Sequence, residues 1–479
     1  MSVRFIFGSS AGYLAVTIAD NAARLLLLPW MTRILTPADY GVMLLIGNGA
    51  ALINLLFGFG LAQALPTLFS NAETDPSRRA ISTTIILSIG GILSALYLAT
   101  ALLSREISVF FLHTPSYSGV IALGALSAFL NACSLCLAII VRLTEKHKLY
   151  PIVQIPALIL QVSLIGWFVA SASLTIKSQY IATTLAGLFT TTAYLFVLRY
   201  WLTGQFQIRK LTAASRIGLQ MLPWQIAVLL ATSSAAFFLT RAGHVNDSGL
   251  FLVASGAAGL LVVVSGSFES VWTPFVLRRK DEPDIAKTQI RIFSLYSATL
   301  LMAAAMLCVF AHELFVVLAG PAFRSGYLFV PGLAIAYCLF CFVNGFAQGL
   351  QARQRTIHYA WIGAIASVVF FAAALSLTAN FGAWGIIVAM IGSFLVMLIL
   401  LQLASARFMP VAYPWSRHCL MWLVAAGIVA CVFPLELGWT SAALKLLALT
   451  CITALPLLFG AVRVADLRTA GNTLHAMIR

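Results

Sequence analysis

The sequence has very little charge. Only 9% of its 479 residues are Asp, Glu, Lys or Arg, with 14 acidic and 29 basic residues. A soluble domain carries about 25% charged residues, so this composition excludes a water-soluble globular protein. Long apolar runs instead recur from end to end, each of roughly 20 residues, enough for a helix to cross about 30 Å of hydrocarbon. We therefore predict an all-α polytopic membrane protein.

The sequence also lacks the usual signatures of an enzyme. It contains no Gly-rich phosphate loop, no HExxH and no GxSxG, and the longest predicted outer loop, residues 104–118, carries only Arg105, Glu106 and His113. The eight cysteines lie in apolar runs, and their two CxxC spacings lack the turn-forming, ligand-rich surroundings of a zinc site. We expect no catalytic residue, no metal and no cofactor.

The apolar windows predict about 14 transmembrane helices, with 12 as the main alternative. The predicted spans are Gly12–Ile34, Gly41–Phe69, Ala80–Leu103, Gly119–Val141, Tyr150–Ala172, Tyr180–Trp201, Ile217–Thr240, Gly249–Leu277, Ile292–Phe310, Tyr327–Leu350, Tyr359–Leu377, Trp384–Leu403, Cys419–Phe433 and Ala442–Val462.

The basic residues set the predicted orientation. Of the 29 Lys and Arg residues, 22 lie in the N-terminus, the even-numbered loops and the C-terminus. Because short, positively charged loops stay in the cytoplasm, both termini should be cytoplasmic. The same pattern explains the net charge of +15 by topology, and the loops are too short to fold into a nucleic-acid recognition domain. We expect no nucleic-acid partner.

An internal repeat relates the first and seventh spans. At an offset of 208 residues, Thr32, Arg33, Asp39 and Gly41 fall on Thr240, Arg241, Asp247 and Gly249, and further along Gly58, Pro66 and Gly124 fall on Gly266, Pro274 and Gly332. The copies begin six spans apart, and because this number is even, both should have the same orientation. We predict two six-helix bundles, 1–205 and 206–408, around a central cavity, with an extra helix pair and cytoplasmic tail at 409–479.

A few ionisable side chains lie within the predicted spans, where each costs roughly 2.5 to 3.5 kcal/mol unless it finds water or a partner. Asp20 and Arg24 are four residues apart and share a helix face. Arg33 and Arg241 lie near the outer ends of equivalent spans, and Glu269 lies in the eighth span. Each also has a purely structural interpretation: an ion pair, a side chain that reaches the headgroups, or an interhelical hydrogen bond.

The functional interpretation assigns the arginines to an anionic headgroup. Guanidinium donates two parallel hydrogen bonds to phosphate, so we predict substrate binding by Arg24, Arg33 and Arg241. Asp20 and Glu269 are then candidates for ion coupling or for pairing with an arginine.

The segment RLLLLPWMTRILTPADYG, residues 24–41, carries a resemblance to a known family. It resembles the opening pattern of the Wzx-type flippases, the polysaccharide transporter branch of the multidrug/oligosaccharidyl-lipid/polysaccharide exporter superfamily. Weaker similarity lies in residues 142–150, 272–274 and 344–349.

This resemblance implies a substrate and a location. The expected substrate is a polyprenyl-pyrophosphate-linked oligosaccharide, moved by alternating access from the cytoplasmic to the outer leaflet of a bacterial inner membrane for surface polysaccharides such as O-antigen or exopolysaccharide. Expected partners are membrane lipid, H⁺ or Na⁺ as a coupling ion, and a polysaccharide polymerase complex. No catalytic residue is needed for such transport.

Three other functions stay open at this point. A lipid II flippase of peptidoglycan synthesis shares the superfamily and has fourteen spans. A cation-coupled multidrug antiporter would use carboxylates, which Asp20 and Glu269 supply. A membrane glycan polymerase or ligase is the candidate from a different class.

Overall fold

A computed structural model describes residues 16, 19–20, 22–23, 26–57, 60–70, 72–112, 114–144, 149–266, 268–269, 285–346, 350, 357–407, 411, 413–435 and 438–460. Every regular element in these residues is a helix. The helices are α1 (Pro37–Phe57), α2 (Leu61–Ser70), α3 (Asp75–Leu102), α4 (Ser104–Leu112), α5 (Ser118–Leu143), α6 (Leu149–Ala170), α7 (Ile176–Val197), α8 (Ile208–Ser233), α9 (Ala235–Arg241), α10 (Val245–Ala258), α11 (Ile285–Val309), α12 (Ala311–Leu318), α13 (Val330–Phe346), α14 (Ile357–Phe381), α15 (Ala383–Ala406), α16 (Trp415–Val432) and α17 (Trp439–Leu458). Residues 26–34 and 260–266 are also helical.

Most of the predicted spans are confirmed as membrane-length helices. Twelve helices among the described residues are long and apolar enough to cross a membrane, and the bent pair of α8 and α9 makes a thirteenth if it counts as one span. The predicted first span, Gly12–Ile34, is described only in part. Because backbone polar groups in hydrocarbon must be satisfied internally, an all-helical chain suits this environment.

Two predicted spans are broken where the sequence predicted continuous helices. The second divides into α1 and α2, with Gly60 at a positive φ of 60° in the turn. A Cβ there would lie 2.8 Å from the backbone of Gly218, so both conformation and space require glycine. The seventh bends by 56° between α8 and α9, where the Ser234 hydroxyl donates to the carbonyl of Leu230 (2.5 Å). Hydroxyl bonds of this kind bend helices.

The chain forms two compact units by the density of its contacts. The first comprises Met1–Gly249, Leu318–Phe323 and Tyr359–Ser367, and the second comprises Leu250–Val317, Arg324–His358 and Val368–Arg479. The predicted division into 1–205, 206–408 and 409–479 describes the sequence repeat, and it stays a prediction.

In the first unit, α5 packs between α3 and α7. Gly124 lets α5 approach α1 closely, since a Cβ at this position would lie 2.5 Å from Cγ2 of Ile46 and 3.6 Å from the ring of Tyr180 on α7. Small residues at such crossings bring helix backbones together, which is how helices associate where lipid removes the hydrophobic driving force.

In the second unit, α13 packs against α15. Gly332 lies at this crossing, where a Cβ would be 2.8 Å from Cγ2 of Ile387 and 3.1 Å from the ring of Trp384. The 208-residue offset pairs Gly332 with Gly124, and each glycine closes a helix crossing within its own unit.

The last two helices pack on α11. Their shared core contains Leu301, Ala305, Met421 and Ile452, all at most 4% exposed. The indole N–H of Trp422 on α16 adds a hydrogen bond to the hydroxyl of Ser297 on α11 (3.0 Å). The helix pair beyond the predicted repeat is therefore attached through the α11 side of the second unit.

Candidate functional site

Thr32 fixes the end of the helix that carries Arg33. Its hydroxyl donates to the carbonyl of Leu28 (2.8 Å) and accepts the N–H of Gly320 (2.9 Å). A Cβ on Gly320 would lie 2.0 Å from the carbonyl oxygen of Thr32, so no larger residue fits. The backbone of Arg33 is thereby held in a defined position within the first unit.

Asp39 has a structural role in the same motif. Its N–H donates to the hydroxyl of Thr36 (3.1 Å), and that hydroxyl donates to the Asp39 carboxylate (2.8 Å). Asp39 lies in the first turn of α1, which begins with Pro37, and both features are typical of a helix N-terminus. The Thr-Pro-Ala-Asp sequence is therefore explained by the start of α1.

Arg33 and Arg241 lie at corresponding places in the repeat. Arg33 is in the last turn of the helix at residues 26–34, and Arg241 is the last residue of α9. Cations are favoured at helix C-termini by about 0.3 to 1 kcal/mol. Both residues are exposed, so surrounding protein leaves their side chains accessible.

The two copies of the motif pack against each other within the first unit. A Cβ on Gly249 would lie 2.1 Å from the carbonyl oxygen of Pro37, and a Cβ on Gly41 would lie 3.0 Å from the hydroxyl oxygen of Ser248. In addition, α9 packs on α1. The structure thus brings together the chain segments that carry Arg33 and Arg241.

Of the predicted pair Asp20 and Arg24, the structure describes only Asp20. Asp20 is half-buried in a helical stretch, whereas Arg24 lies outside the described residues. The roles of both residues stay predictions.

Glu269 is held by hydrogen bonds in the second unit. The hydroxyl of Ser265, one helical turn earlier, bonds to the Glu269 carboxyl group. Ser265 also lies 2.6 Å from the phenolic oxygen of Tyr296 on α11, which bonds in turn to the carbonyl of Cys341 on α13 (2.8 Å). Glu269 therefore belongs to an interhelical hydrogen-bond network with Ser265 and Tyr296.

A small cavity adjoins this carboxyl group. It has a volume of about 20 Å³ and is lined by Phe268, Glu269, Gln289, Ile292, Phe293, Tyr296, Gly345, Phe346 and Tyr413. A volume of this size has room for one water molecule. Burial raises the pKa of Tyr413, which lies between α15 and α16.

The sequence interpretation missed an ion pair between Lys445 and Glu313. The ammonium of Lys445 on α17 is fully buried and lies 2.6 Å from a carboxylate oxygen of Glu313 on α12. A lone cation in an apolar span signals a partner, and Lys445 is such a cation. Because Glu313 lies 132 residues earlier in the chain, the sequence pattern did not identify it as the partner. The pair therefore connects α17 to α12 within the second unit.

The segment before α8 is attached to the start of α3. The N–H groups of Gly204 and Gln207 donate to the hydroxyls of Thr83 and Thr84, both at 3.0 Å. The ammonium of Lys210 donates to the hydroxyl of Ser77 (2.6 Å), and burial lowers the pKa of Lys210. The connection between the predicted repeats is therefore a fixed part of the first unit.

Metal ligands are not gathered in the part of the chain that the structure describes: no group of three His, Cys, Asp or Glu side chains there could hold a metal ion. The chemistry available at the sites above consists of cationic side chains, hydrogen-bonding groups and one carboxyl group beside a cavity.

Solved structures with the same fold are transporters. The lipid II flippase MurJ in an inward closed conformation has a TM-score of 0.69 at 11% identity, over 95% of this chain and 98% of that one. An inward-facing multidrug resistance MATE family transporter of the MOP superfamily has a TM-score of 0.66 at 14% identity, over 81% and 94%. A MATE transporter of Vibrio cholerae, VcmN, has 0.60 at 16%, over 84% and 96%.

The fold therefore defines a multi-pass membrane protein of the flippase and multidrug-transporter architecture. More particularly, the chain belongs to the polysaccharide biosynthesis protein family, whose model matches residues 30–325. No curated protein matches the sequence. The family match confirms the predicted resemblance, and the structural neighbours confirm the predicted all-α membrane-transporter fold.

Proposed function

We propose that the protein is a flippase that moves a polyprenyl-pyrophosphate-linked oligosaccharide from the cytoplasmic to the outer leaflet of a bacterial inner membrane. The observation that carries this proposal is the contact between two motif copies, each with an accessible arginine at a helix end, in a chain of the polysaccharide biosynthesis family. Such a site suits a pyrophosphate or acidic-sugar headgroup, because guanidinium binds phosphate oxygens in pairs.

Transport of this kind needs a polar path for the headgroup, while the polyprenyl tail stays in lipid. Alternating access of two like-oriented bundles provides such a path without covalent chemistry. Outward movement of an anionic headgroup is also favoured by a negative cell interior, by about 2.3 kcal/mol per charge per 100 mV. Arg24, Arg33 and Arg241 are the proposed headgroup ligands, and both termini are cytoplasmic in this proposal.

Gene deletion followed by leaflet analysis tests the proposal. We expect lipid-linked repeat units to accumulate on the cytoplasmic leaflet and surface glycan to be lost, with both restored by the wild-type gene. Extracellular accumulation of single repeat units would instead indicate a polymerase. Unchanged lipid-linked intermediates together with raised retention of cationic dyes would indicate a multidrug antiporter.

Lipid II is the second candidate substrate, because the MurJ structure matches nearly the full length of both chains. Expression of this protein in cells depleted of their lipid II flippase separates the two. Restored growth would favour lipid II. Lysis of the depleted cells, together with loss of surface glycan in the deletion strain, would favour the oligosaccharide.

A further inference from the structure

Two arginines of the first unit lie over aromatic rings at the ends of neighbouring spans. The guanidinium carbon of Arg79, near the start of α3, is 4.8 Å from the ring centre of Tyr200. That of Arg199 is 5.3 Å from the ring centre of Phe196, at the end of α7. A short 3₁₀ helix, Arg199–Leu202, carries two of these residues and packs on α3. We call the four side chains the arginine–aromatic patch.

The patch lies where the spans meet the membrane surface. Both α3 and α7 are long and apolar enough to cross a membrane, and α3 begins with Asp75 while α7 ends with Val197. Aromatic rings and arginines are typical of this depth, since their apolar parts lie in lipid and their polar ends reach the headgroups. The side chains of Phe196 and Tyr200 are 71% and 50% exposed. In a membrane, these ring surfaces therefore contact lipid.

The patch is separated from the motif copies by the length of a span. The bent span of α8 and α9 begins at Ile208, a few residues after the patch, and ends at Arg241. Its two ends lie at opposite surfaces of the membrane. In the predicted orientation, the patch is at the cytoplasmic surface and Arg241 at the outer one. The headgroup site proposed for Arg33 and Arg241 therefore does not include the patch.

No carboxylate among the described residues pairs with the two arginines of the patch. The chain has no Asp or Glu from residue 146 to residue 246. Glu73 and Asp75 precede Arg79 on the other side of the patch, and the Asp75 carboxylate lies 3.6 Å from the guanidinium of Arg78. Cations near a membrane surface attract anionic lipid headgroups. The charge of the patch thus fits an anion supplied by the membrane.

Arg79 also has an unused hydrogen-bond donor. Its Nε is buried and has no hydrogen-bond partner in the part of the chain that the structure describes, although buried donors are normally paired. A guanidinium over a ring can still donate from its N–H edge, and phosphate accepts two parallel hydrogen bonds from that edge. Because Tyr200 is half-exposed, a rotation of its ring would admit a phosphate oxygen to this nitrogen.

We propose that the arginine–aromatic patch binds the phosphate of an anionic phospholipid from the adjoining leaflet. Arg79 is the phosphate ligand, Arg199 is the second cation, and the rings of Phe196 and Tyr200 contact the acyl chains. The occupant is a phospholipid of the membrane rather than the transported lipid, because the patch is open to lipid and remote from the motif copies. This binding does not depend on the proposed function.

Native mass spectrometry of the purified protein in neutral detergent tests the proposal. The probe is phosphatidylglycerol, and phosphatidylcholine with the same acyl chains is its neutral control. Wild-type protein should bind the anionic lipid more tightly. Arg79→Ala should weaken this binding roughly tenfold or more, since it removes hydrogen bonds between charged groups. Equal affinity of the wild-type protein for the two lipids would overturn the proposal without any variant.

Arg407→Ala is the matched control for charge. Arg407 is an exposed cation at the end of α15, in a loop predicted to lie at the same membrane surface. Its loss should leave binding of the first phosphatidylglycerol unchanged. Equal weakening by Arg79→Ala and Arg407→Ala would show diffuse attraction to the whole surface and would overturn the assigned site. Arg79→Lys, which keeps the charge and loses the planar fork, should bind with intermediate affinity.

Photocrosslinking in vesicles tests the location. In vesicles with equal amounts of the two phospholipids, p-benzoylphenylalanine in place of Tyr200 should crosslink mainly to phosphatidylglycerol. The same label in place of Ile357, an exposed residue at the start of α14, should crosslink to both lipids equally. Added salt should reduce the preference at Tyr200, because it screens exposed charges. An equal preference at the two positions would overturn the proposal.

Two further outcomes complete the test. A patch that binds a polyprenyl pyrophosphate but not phosphatidylglycerol would identify the transported lipid as its ligand and overturn the phospholipid assignment. If Arg79→Ala fails to fold, as judged by its melting temperature, Arg199→Ala and a salt titration of wild-type protein decide instead. Phosphatidylglycerol binding that neither salt nor Arg199→Ala weakens would overturn the proposal.

Discussion

Gly41 and Gly249, which the 208-residue offset makes equivalent, lie against each other. A Cβ on Gly41 would be 3.4 Å from the backbone nitrogen of Gly249. The contact joins the start of α1 to the start of α10 within the first unit. The duplication itself stays a prediction from the sequence.

Gly249→Ala should destabilise the protein. Its Cβ would lie 2.1 Å from the carbonyl oxygen of Pro37, and overpacking against a backbone costs about 1 to 3 kcal/mol. Thermal unfolding of the purified variant measures the loss. Gly256→Ala on the same helix is the control, because no atom lies within 4 Å of its Cβ. Equal melting temperatures for the two variants would show that the contact between the motif copies is not tight.

Arg33→Ala and Arg241→Ala should each slow glycan flipping. Hydrogen bonds to charged groups contribute about 1.5 to 3 kcal/mol, which corresponds to roughly tenfold or more in rate. Lysine at either position should recover only part of the activity, because it loses the planar fork. Flipping of a fluorescently tagged polyprenyl-pyrophosphate disaccharide in liposomes measures the rates, with Arg105→Ala, a change at an exposed cation of α4, as the control. Wild-type rates in both arginine variants would reject the headgroup site.

The ion pair between Lys445 and Glu313 should respond asymmetrically to substitution. Glu313→Gln leaves the fully buried ammonium of Lys445 without its carboxylate, and loss of a buried partner costs about 3 to 5 kcal/mol. Lys445→Met should reduce the stability less, because the Glu313 side chain left behind is 28% exposed and therefore only partly buried.

The double variant Glu313→Leu/Lys445→Met completes this test, since replacement of both charges by apolar groups is often neutral. Thermal stability of the three variants gives the comparison, with Lys177→Met, at an exposed position, as the control. A double variant less stable than Glu313→Gln would contradict the assigned pairing.

Thr83→Val and Thr84→Val should loosen the segment before α8. Each removes the acceptor of a backbone N–H at 3.0 Å, and loss of such a hydrogen bond costs about 0.5 to 1.5 kcal/mol. Faster hydrogen exchange at Gly204 and Gln207 is the expected result. Thr100→Val on the same helix removes a hydroxyl bonded only to its own helix, at Leu96, and should leave this exchange unchanged.

Composition and periodicity predicted most of the fold, because a span needs only enough consecutive apolar residues. The hydropathy of such a window is insensitive to a single bend or break of the helix within it. The bend at Ser234 depends on one hydroxyl bond, and the break at Gly60 depends on contact with Gly218, far away in the chain. Both therefore lay beyond the sequence pattern.

The site was predicted less completely. The sequence identified Glu269 as a carboxyl group in an apolar span. Its hydrogen-bond network with Ser265 and Tyr296 could not be predicted, because it joins three helices that are far apart in the sequence. Lys445 was equally visible, but its partner lies in a short helix outside the predicted spans. Asp39 lies in the most distinctive motif, and its hydrogen bonds with Thr36 stabilise the start of α1.

The ion pair of Lys445 also bears on how the chain is made. Glu313 precedes Lys445 by 132 residues, so α12 and its carboxylate are synthesised before the lysine leaves the ribosome. Thus α17 carries a cation, Lys445, whose burial in hydrocarbon is costly without a partner. The carboxylate of Glu313, which is made earlier, is that partner. Biogenesis of α17 is in this sense templated by an earlier part of the same polypeptide.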